Sequence, residues 1–305
     1  MSAIGFGLLL PHGPASAEAR ATYLEDCERN LETIKGHFTS VWMSDHLQVD
    51  SHDVLECWTT LTYLAGRFPD LSFGSGVMCQ AFRNPALVAK MAATFQFLTG
   101  GRLILGMGTG WKEDEFLSYN YPFLSPNARV SELEEAIRII KLMWVEEKAT
   151  FEGAHYQIHS ARCEPRPQPP PHIVVGAHHP RMLRIAARLA DWWDVSGSAI
   201  GRNDYPALSA EMDRALAEVG RDPRTLRRSY SGPCLVTTSQ NEIDQYAGNM
   251  PIGRGITGTP EQVADQLRRL VALGVTHFQL VFAGFPNPRP LDLFIKEVLP
   301  HVERL

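Results

Sequence analysis

The chain has 305 residues, 44% of them apolar, enough to bury roughly three quarters of the surface its unfolded form exposes. A formal charge of -5 and a pI near 6.1 leave no surplus of Lys and Arg to neutralise phosphates, so nucleic acid is not an expected partner. No apolar stretch reaches the roughly 18 to 20 residues of a membrane span, and five scattered cysteines without a C-x-x-C indicate neither a disulfide framework nor a structural zinc site.

The first apolar run, IGFGLLL (4–10), has no basic segment ahead of it and reads as a strand. Leu24, Cys27, Leu31, Ile34 and Phe38 then mark one helical face, with Thr22 and Glu25 at capping-box spacing ahead of it. SVWMS (40–44) is a second strand, followed by the helical face Val54, Trp58, Leu61, Ala65 and Phe68. LSFGSGV (71–77) is a third, and Pro85 suits the first turn of the helix after it. RLILGMG (102–108) is a fourth, and Ser131 with Glu134 has capping-box spacing for the next helix.

Residues 150–171 break this rhythm with aromatic and proline-rich sequence and read as an insertion between helix four and strand five. HIVVGA (172–177), WDVSG (193–197), YSGPCLVT (230–237) and THFQLVF (276–282) complete a set of eight strands. Pro180 and Pro260 mark helix starts, Thr259 with Gln262 forms another capping box, and Gly220 and Gly274 mark helix stops. Strands apolar throughout imply burial on both faces, and strand–helix alternation implies a parallel sheet. Eight such units in about 300 residues favour a single-domain (β/α)8 TIM barrel over an open doubly wound sheet.

In a TIM barrel the active site lies at the C-terminal strand ends. These are Pro11 and His12, Asp45 and His46, Gly76 to Gln80, Thr109 to Trp111, Gly176 to His179, Ser196 to Ser198, and Gly284 with Phe285. Small and aromatic residues with few titratable groups suit a flat ligand better than a metal, which needs several converging His and carboxylate ligands. Asp45 beside His46 reads as a solvated pair, a ligand set or a catalytic constellation. Gly176 and Ala177 ahead of a helix starting near Pro180 read either as a tight turn or as a phosphate site. GMGTGW (106–111) lacks the spacing of a nucleotide fingerprint; its glycines are expected to let the backbone approach a flat ligand, with Trp111 as a wall.

VWMSDHL, FRNPALVAKMAATFQFLTGGRLILGMGTGWKEDEF, RVSELEEAIRIIKLMW, TFEGAHYQI, CEPRPQPPPHIVVGA and RIAARLADWWDVSG resemble, in this order, the luciferase-like flavin-dependent oxidoreductases. The resemblance covers most of the chain and is strongest to the branch that uses the deazaflavin coenzyme F420 instead of FMN. It implies a (β/α)8 barrel with an insertion after strand four. It also implies that Asp45 and His46 face the ring of the cofactor, and that Gly76 and Val77 form a bulge behind it, often with a non-prolyl cis peptide. Thr109 and Gly110 would line the cofactor, and Gly176, Ala177, His178 and His179 would bind its phosphate. Many relatives have a second glycine where Ala177 stands.

The function expected is hydride transfer between F420 and a small organic substrate, with His46 giving or taking the accompanying proton and Asp45 orienting it or bonding the ring edge. The alternatives are an FMN-dependent monooxygenase and a non-catalytic flavin-binding protein on the same barrel. Glu56 is expected to serve helix capping and Arg83 to brace the loop after strand three. A cluster of Lys and Arg that would mark a sugar-phosphate substrate is missing from the strand ends. A cytoplasmic homodimer without bound metal is the expected setting.

Overall fold

The computed structural model describes residues 4–49, 53–197, 204–249 and 255–302. Eight parallel strands close into a barrel: β1 (Gly5–Leu10), β2 (Ser40–Met43), β3 (Ser72–Ser75), β4 (Leu103–Gly108), β5 (His172–Gly176), β6 (Trp192–Ser196), β7 (Arg227–Val236) and β8 (Val275–Phe282). Each pairs with the next, and β8 returns to β1 with Phe278 opposite Phe6. The helices among the described residues are α1 (Tyr23–Ile34), α2 (Cys57–Arg67), α3 (Pro85–Thr99), α4 (Glu113–Ser118), α5 (Pro126–Val145), α6 (Pro180–Leu189), α7 (Tyr205–Glu218), α8 (Gln240–Asn249), α9 (Pro260–Ala272), α10 (Arg289–Leu293) and α11 (Leu299–Val302), the last two joined by a π-helical turn, Phe294–Val298.

The continuous apolar runs are explained by burial on both sides. Outward residues such as Val41, Phe73, Leu105 and Val175 join the large core beneath the helices. Inward residues Trp42, Ile104, Val174 and Trp192 form a separate cluster that fills the lumen. Trp42 has room because its neighbours lack side chains: a Cβ on Gly7 or Gly74 would lie 2.4 Å from its indole.

The insertion is an antiparallel hairpin, Ala149–Glu152 with Gln157–Ala161, followed by the proline-rich run into β5. Two short strands escaped sequence reading. Met78–Cys79 resumes pairing with β4 beyond β3, and Ile256–Gly258 pairs with β7 past the end of β6.

Helix starts at Pro85, Pro180 and Pro260 lie where expected, and Thr259 with Gln262 forms a complete capping box. Two other expected boxes do not form. Thr22 precedes α1 without a side-chain cap, and Ser131 lies inside α5, whose N-cap is Ser125. Pro126 lacks the N–H a helix interior needs, so it sets the start of α5 five residues ahead of Ser131. Leu24, expected on the buried face of α1, is 41% exposed.

Candidate active site

The C-terminal strand ends open onto a cavity of about 450 Å³, within the range of small-molecule sites. Asp45, His46, Gly76, Val77, Thr109, Gly110, Gly176, Ala177 and His178 all line it. His179 does not; it is the exposed N-cap residue of α6. Pro11, His12, Gly284 and Phe285 also stand outside the lining, although the His12 ring meets the His46 ring edge-on at 5.6 Å. Ser198 lies outside the described residues.

Asp45 and His46 are adjacent in sequence but serve different partners. The Asp45 carboxylate, wholly buried, accepts a bidentate pair of bonds from Arg83 at 2.7 and 2.9 Å and a third from the Cys79 N–H at 2.9 Å. Arg83 also bonds Glu56, which caps α2 by accepting from the Trp58 and Thr59 N–H groups. Burial opposes ionisation of Glu56, but the bonds from Thr59 and Arg83 outweigh it and hold its pKa below the ordinary carboxylate value. The Asp45–Arg83–Glu56 chain therefore ties the loop after β2, the segment after β3 and the start of α2 into one unit. Arg83 is the brace expected of it.

The carboxylate that orients His46 is Glu115 of α4. The imidazole Nδ1 lies 3.1 Å from both Glu115 oxygens, and the same carboxylate accepts from the Leu47 and Gln48 N–H groups at 2.5 and 3.0 Å. Glu115 is 2% exposed, so these bonds operate largely away from water. With Nδ1 engaged, Nε2 is the imidazole nitrogen left for chemistry. Trp111 stands edge-on to His46 at 6.1 Å and is 73% exposed at the cavity mouth.

Gly76 and Val77 join through a cis peptide bond. The glycines of β4 accommodate this bulge: a Cβ on Gly106 would lie 2.0 Å from the Ser75 carbonyl oxygen, and one on Gly108 would lie 2.6 Å from Val77. Ser75 Oγ locks the crossing by donating to the Gly106 carbonyl and accepting from its N–H. Gly106 and Gly108 thus make room for Val77, which lines the cavity together with Gly108 and Gly110.

On the neighbouring strand, beside Val77, Gly176 and Ala177 lead into α6, whose first turn offers N–H groups and the positive end of the helix dipole. The His178 ring meets the His179 ring at 4.3 Å, tilted by 50°, and burial, then the neighbouring imidazole, lowers its pKa. At the cavity floor lies Asp194, which sequence reading did not single out. Burial raises the pKa of its carboxyl, against the bonds from Ser229 and Ser231. Among the described residues, no three His, Cys, Asp or Glu side chains converge as a metal site, and no Lys or Arg lines the cavity.

This arrangement accords with a sequence-family match: the profile described as luciferase-like monooxygenase covers residues 4–255. The chain belongs to that family. Within the luciferase-like family, it is 30% identical over 298 residues to an F420-dependent glucose-6-phosphate dehydrogenase from Kineococcus radiotolerans, covering 86% of this chain and 88% of that protein. An FMNH2-dependent dimethylsulfone monooxygenase from Pseudomonas putida is 26% identical over 263 residues, covering 73% of this chain and 72% of that one. A solved F420-dependent secondary alcohol dehydrogenase, in complex with an F420–acetone adduct, superposes with a TM-score of 0.83 at 17% identity. It covers 98% of this chain and 99% of its own, a likeness of fold.

Proposed function

We propose that this chain is an F420-dependent oxidoreductase that transfers hydride between the deazaflavin and a small organic substrate, with His46 as proton donor and acceptor. The observation that carries the reading is the His46–Glu115 pair at the rim of a cavity of cofactor size. When bound, the deazaflavin supplies a ring carbon that accepts or donates hydride. Gly76, Val77, Thr109 and Gly110 would hold its ring, and Gly176, Ala177 and the α6 start its phosphate, with His178 beside it and His179 at the helix cap. Burial, then the neighbouring imidazole, lowers the pKa of His178, which favours its neutral form, so it would meet the phosphate as an N–H donor without positive charge, alongside the backbone N–H groups.

An alcohol that loses hydride must also lose its hydroxyl proton. Glu115 accepts from Nδ1–H of His46, which leaves a lone pair on Nε2 to take that proton; in the reverse direction Nε2–H returns it. Asp45 does not share in this transfer: its oxygens hold Arg83 and the Cys79 N–H, and its part is to fix the loop that carries His46. The cavity lining has no Lys or Arg among the described residues, which favours an uncharged alcohol or carbonyl compound over a sugar phosphate. We place the enzyme in the cytoplasm as a homodimer; light scattering that returned the single-chain mass of 34.0 kDa would overturn the latter.

The FMN-dependent relative supports a second reading, in which the same cavity takes reduced FMN for dioxygen chemistry. Fluorescence titration with F420 and FMN, followed by oxygen uptake and a panel of alcohols and carbonyls, separates the two. F420 reduction by an alcohol without oxygen uptake is expected. His46→Ala should keep cofactor affinity and lose at least roughly a hundredfold in turnover. Unchanged turnover would remove His46 from the mechanism.

A further inference from the structure

Strand β6 presents an anomaly: an acid between Trp193 and Val195, turned into the barrel lumen. Asp194 is 5% exposed and lines the cavity floor. Its Oδ1 accepts from Ser229 Oγ at 2.7 Å and from Gln279 Nε2 at 3.2 Å, and its Oδ2 accepts from Ser231 Oγ at 2.7 Å. A carboxylate has about four acceptor positions, so one remains, on Oδ2. Ser229 lies opposite Asp194 and Gln279 opposite Ser231, and at 0% and 1% exposure both hold the carboxylate from the buried side, while Asp194 itself faces the cavity.

All three donors are neutral. A buried carboxylate held this way costs more than the apolar side chains that fill the neighbouring lumen, Ile104 and Val174, so packing gives no reason for it. The same absence of positive charge makes the floor hostile to an anion. It suits a neutral hydrogen-bond donor.

The register narrows which donor. Asp194 lies opposite Ser229 at the level below, and Ser196 lies opposite Ser231 at the level above, so two adjacent strands offer a carboxylate and serine hydroxyls along one inner wall. On the proposed reading, the ring rests at Gly76–Val77 and the phosphate lies at the α6 start, beside β6. The chain of hydroxyl-bearing carbons that joins ring to phosphate must span the gap between those points, and its hydroxyls are donors. We infer that Asp194 is a cofactor-positioning residue that accepts a hydrogen bond from a hydroxyl of this polyol linker. The inference rests on the cofactor reading above and adds a contact to it.

The test is a binding cycle with two ligands that both lack phosphate: the deazaflavin chromophore carrying its polyol chain, and the same ring with a methyl group in place of that chain. Wild-type protein should bind the polyol-bearing ligand at least roughly tenfold more tightly. Asp194→Asn should lose most of that preference while binding the methyl ligand as wild type does, a pattern that general loosening of the barrel would not produce. Equal affinity of wild type for the two ligands overturns the inference without any variant, so it stays testable if Asp194→Asn does not fold. A folded Asp194→Asn with the full preference overturns it too. Wild type that binds neither F420 nor FMN would instead sink the cofactor reading itself.

Discussion

Arg83 is the cation paired with the wholly buried Asp45 carboxylate, whose remaining bond comes from the neutral Cys79 N–H. Removing one partner of a buried pair typically costs about 3–5 kcal/mol, since the other charge stays behind. Arg83→Ala should therefore lower the thermal midpoint sharply, and Asp45→Asn in the same chain should restore part of it; scanning calorimetry on the single and double variants checks both. Glu115 calls for a different measurement. Glu115→Gln keeps a hydrogen-bonding side chain but removes the charge that stabilises a protonated His46, so turnover should fall roughly ten- to a hundredfold at unchanged cofactor affinity. Glu115 was hard to find in the sequence because it ends a run of three carboxylates, Glu113, Asp114 and Glu115, 69 residues beyond His46. The buried Phe116 next to it was the available clue. Asp194 carried a plainer signal, a charge between Trp193 and Val195.

At the level of elements, the crossing between β4 and the bulge after β3 leaves least tolerance. Gly106→Ala would drive a methyl group against the Ser75 backbone, whereas the contact made by Gly108→Ala is with the Val77 side chain. The first should fail to accumulate as folded protein. The second should fold and bind cofactor more weakly, which expression yield and fluorescence titration distinguish. Thr259→Ala, which opens the capping box of α9, should cost about 1 kcal/mol in urea unfolding. The eight barrel strands were legible because burial on both faces leaves long apolar runs. Ile256–Gly258 was not, because three residues carry no period. The spacing of Ser131 and Glu134 misled because Ser-x-x-Glu recurs inside helices; Pro126 decided where α5 begins.

Across the whole molecule, the lumen divides into an open upper level that lines the cavity and a closed, largely apolar lower one, and the lower one is expected to respond to acid. His277 is packed against Trp42 and Trp192 with its Nε2 near Ser40 Oγ, and burial, then Arg227, pushes its pKa down to about 3. Between about pH 6.5 and 3 the unfolded chain takes up a proton that the folded barrel refuses, so stability is fullest above that window and declines as pH falls through it. His277→Gln should flatten the dependence of urea midpoints on pH between 7 and 4; an unaltered slope would assign acid sensitivity elsewhere. The barrel as a whole could be read from strand count and strand-end rule, but which polar residues turn inward required the register. Trp111 adds an optical consequence. All six tryptophans lie among the described residues, and Trp111 is the one left open to water, so its indole should dominate the red edge of the emission spectrum. A molecule settling over the entrance would strip that hydration and shift the light toward the blue, giving the unlabelled protein a built-in gauge of occupancy that Trp111→Phe would silence.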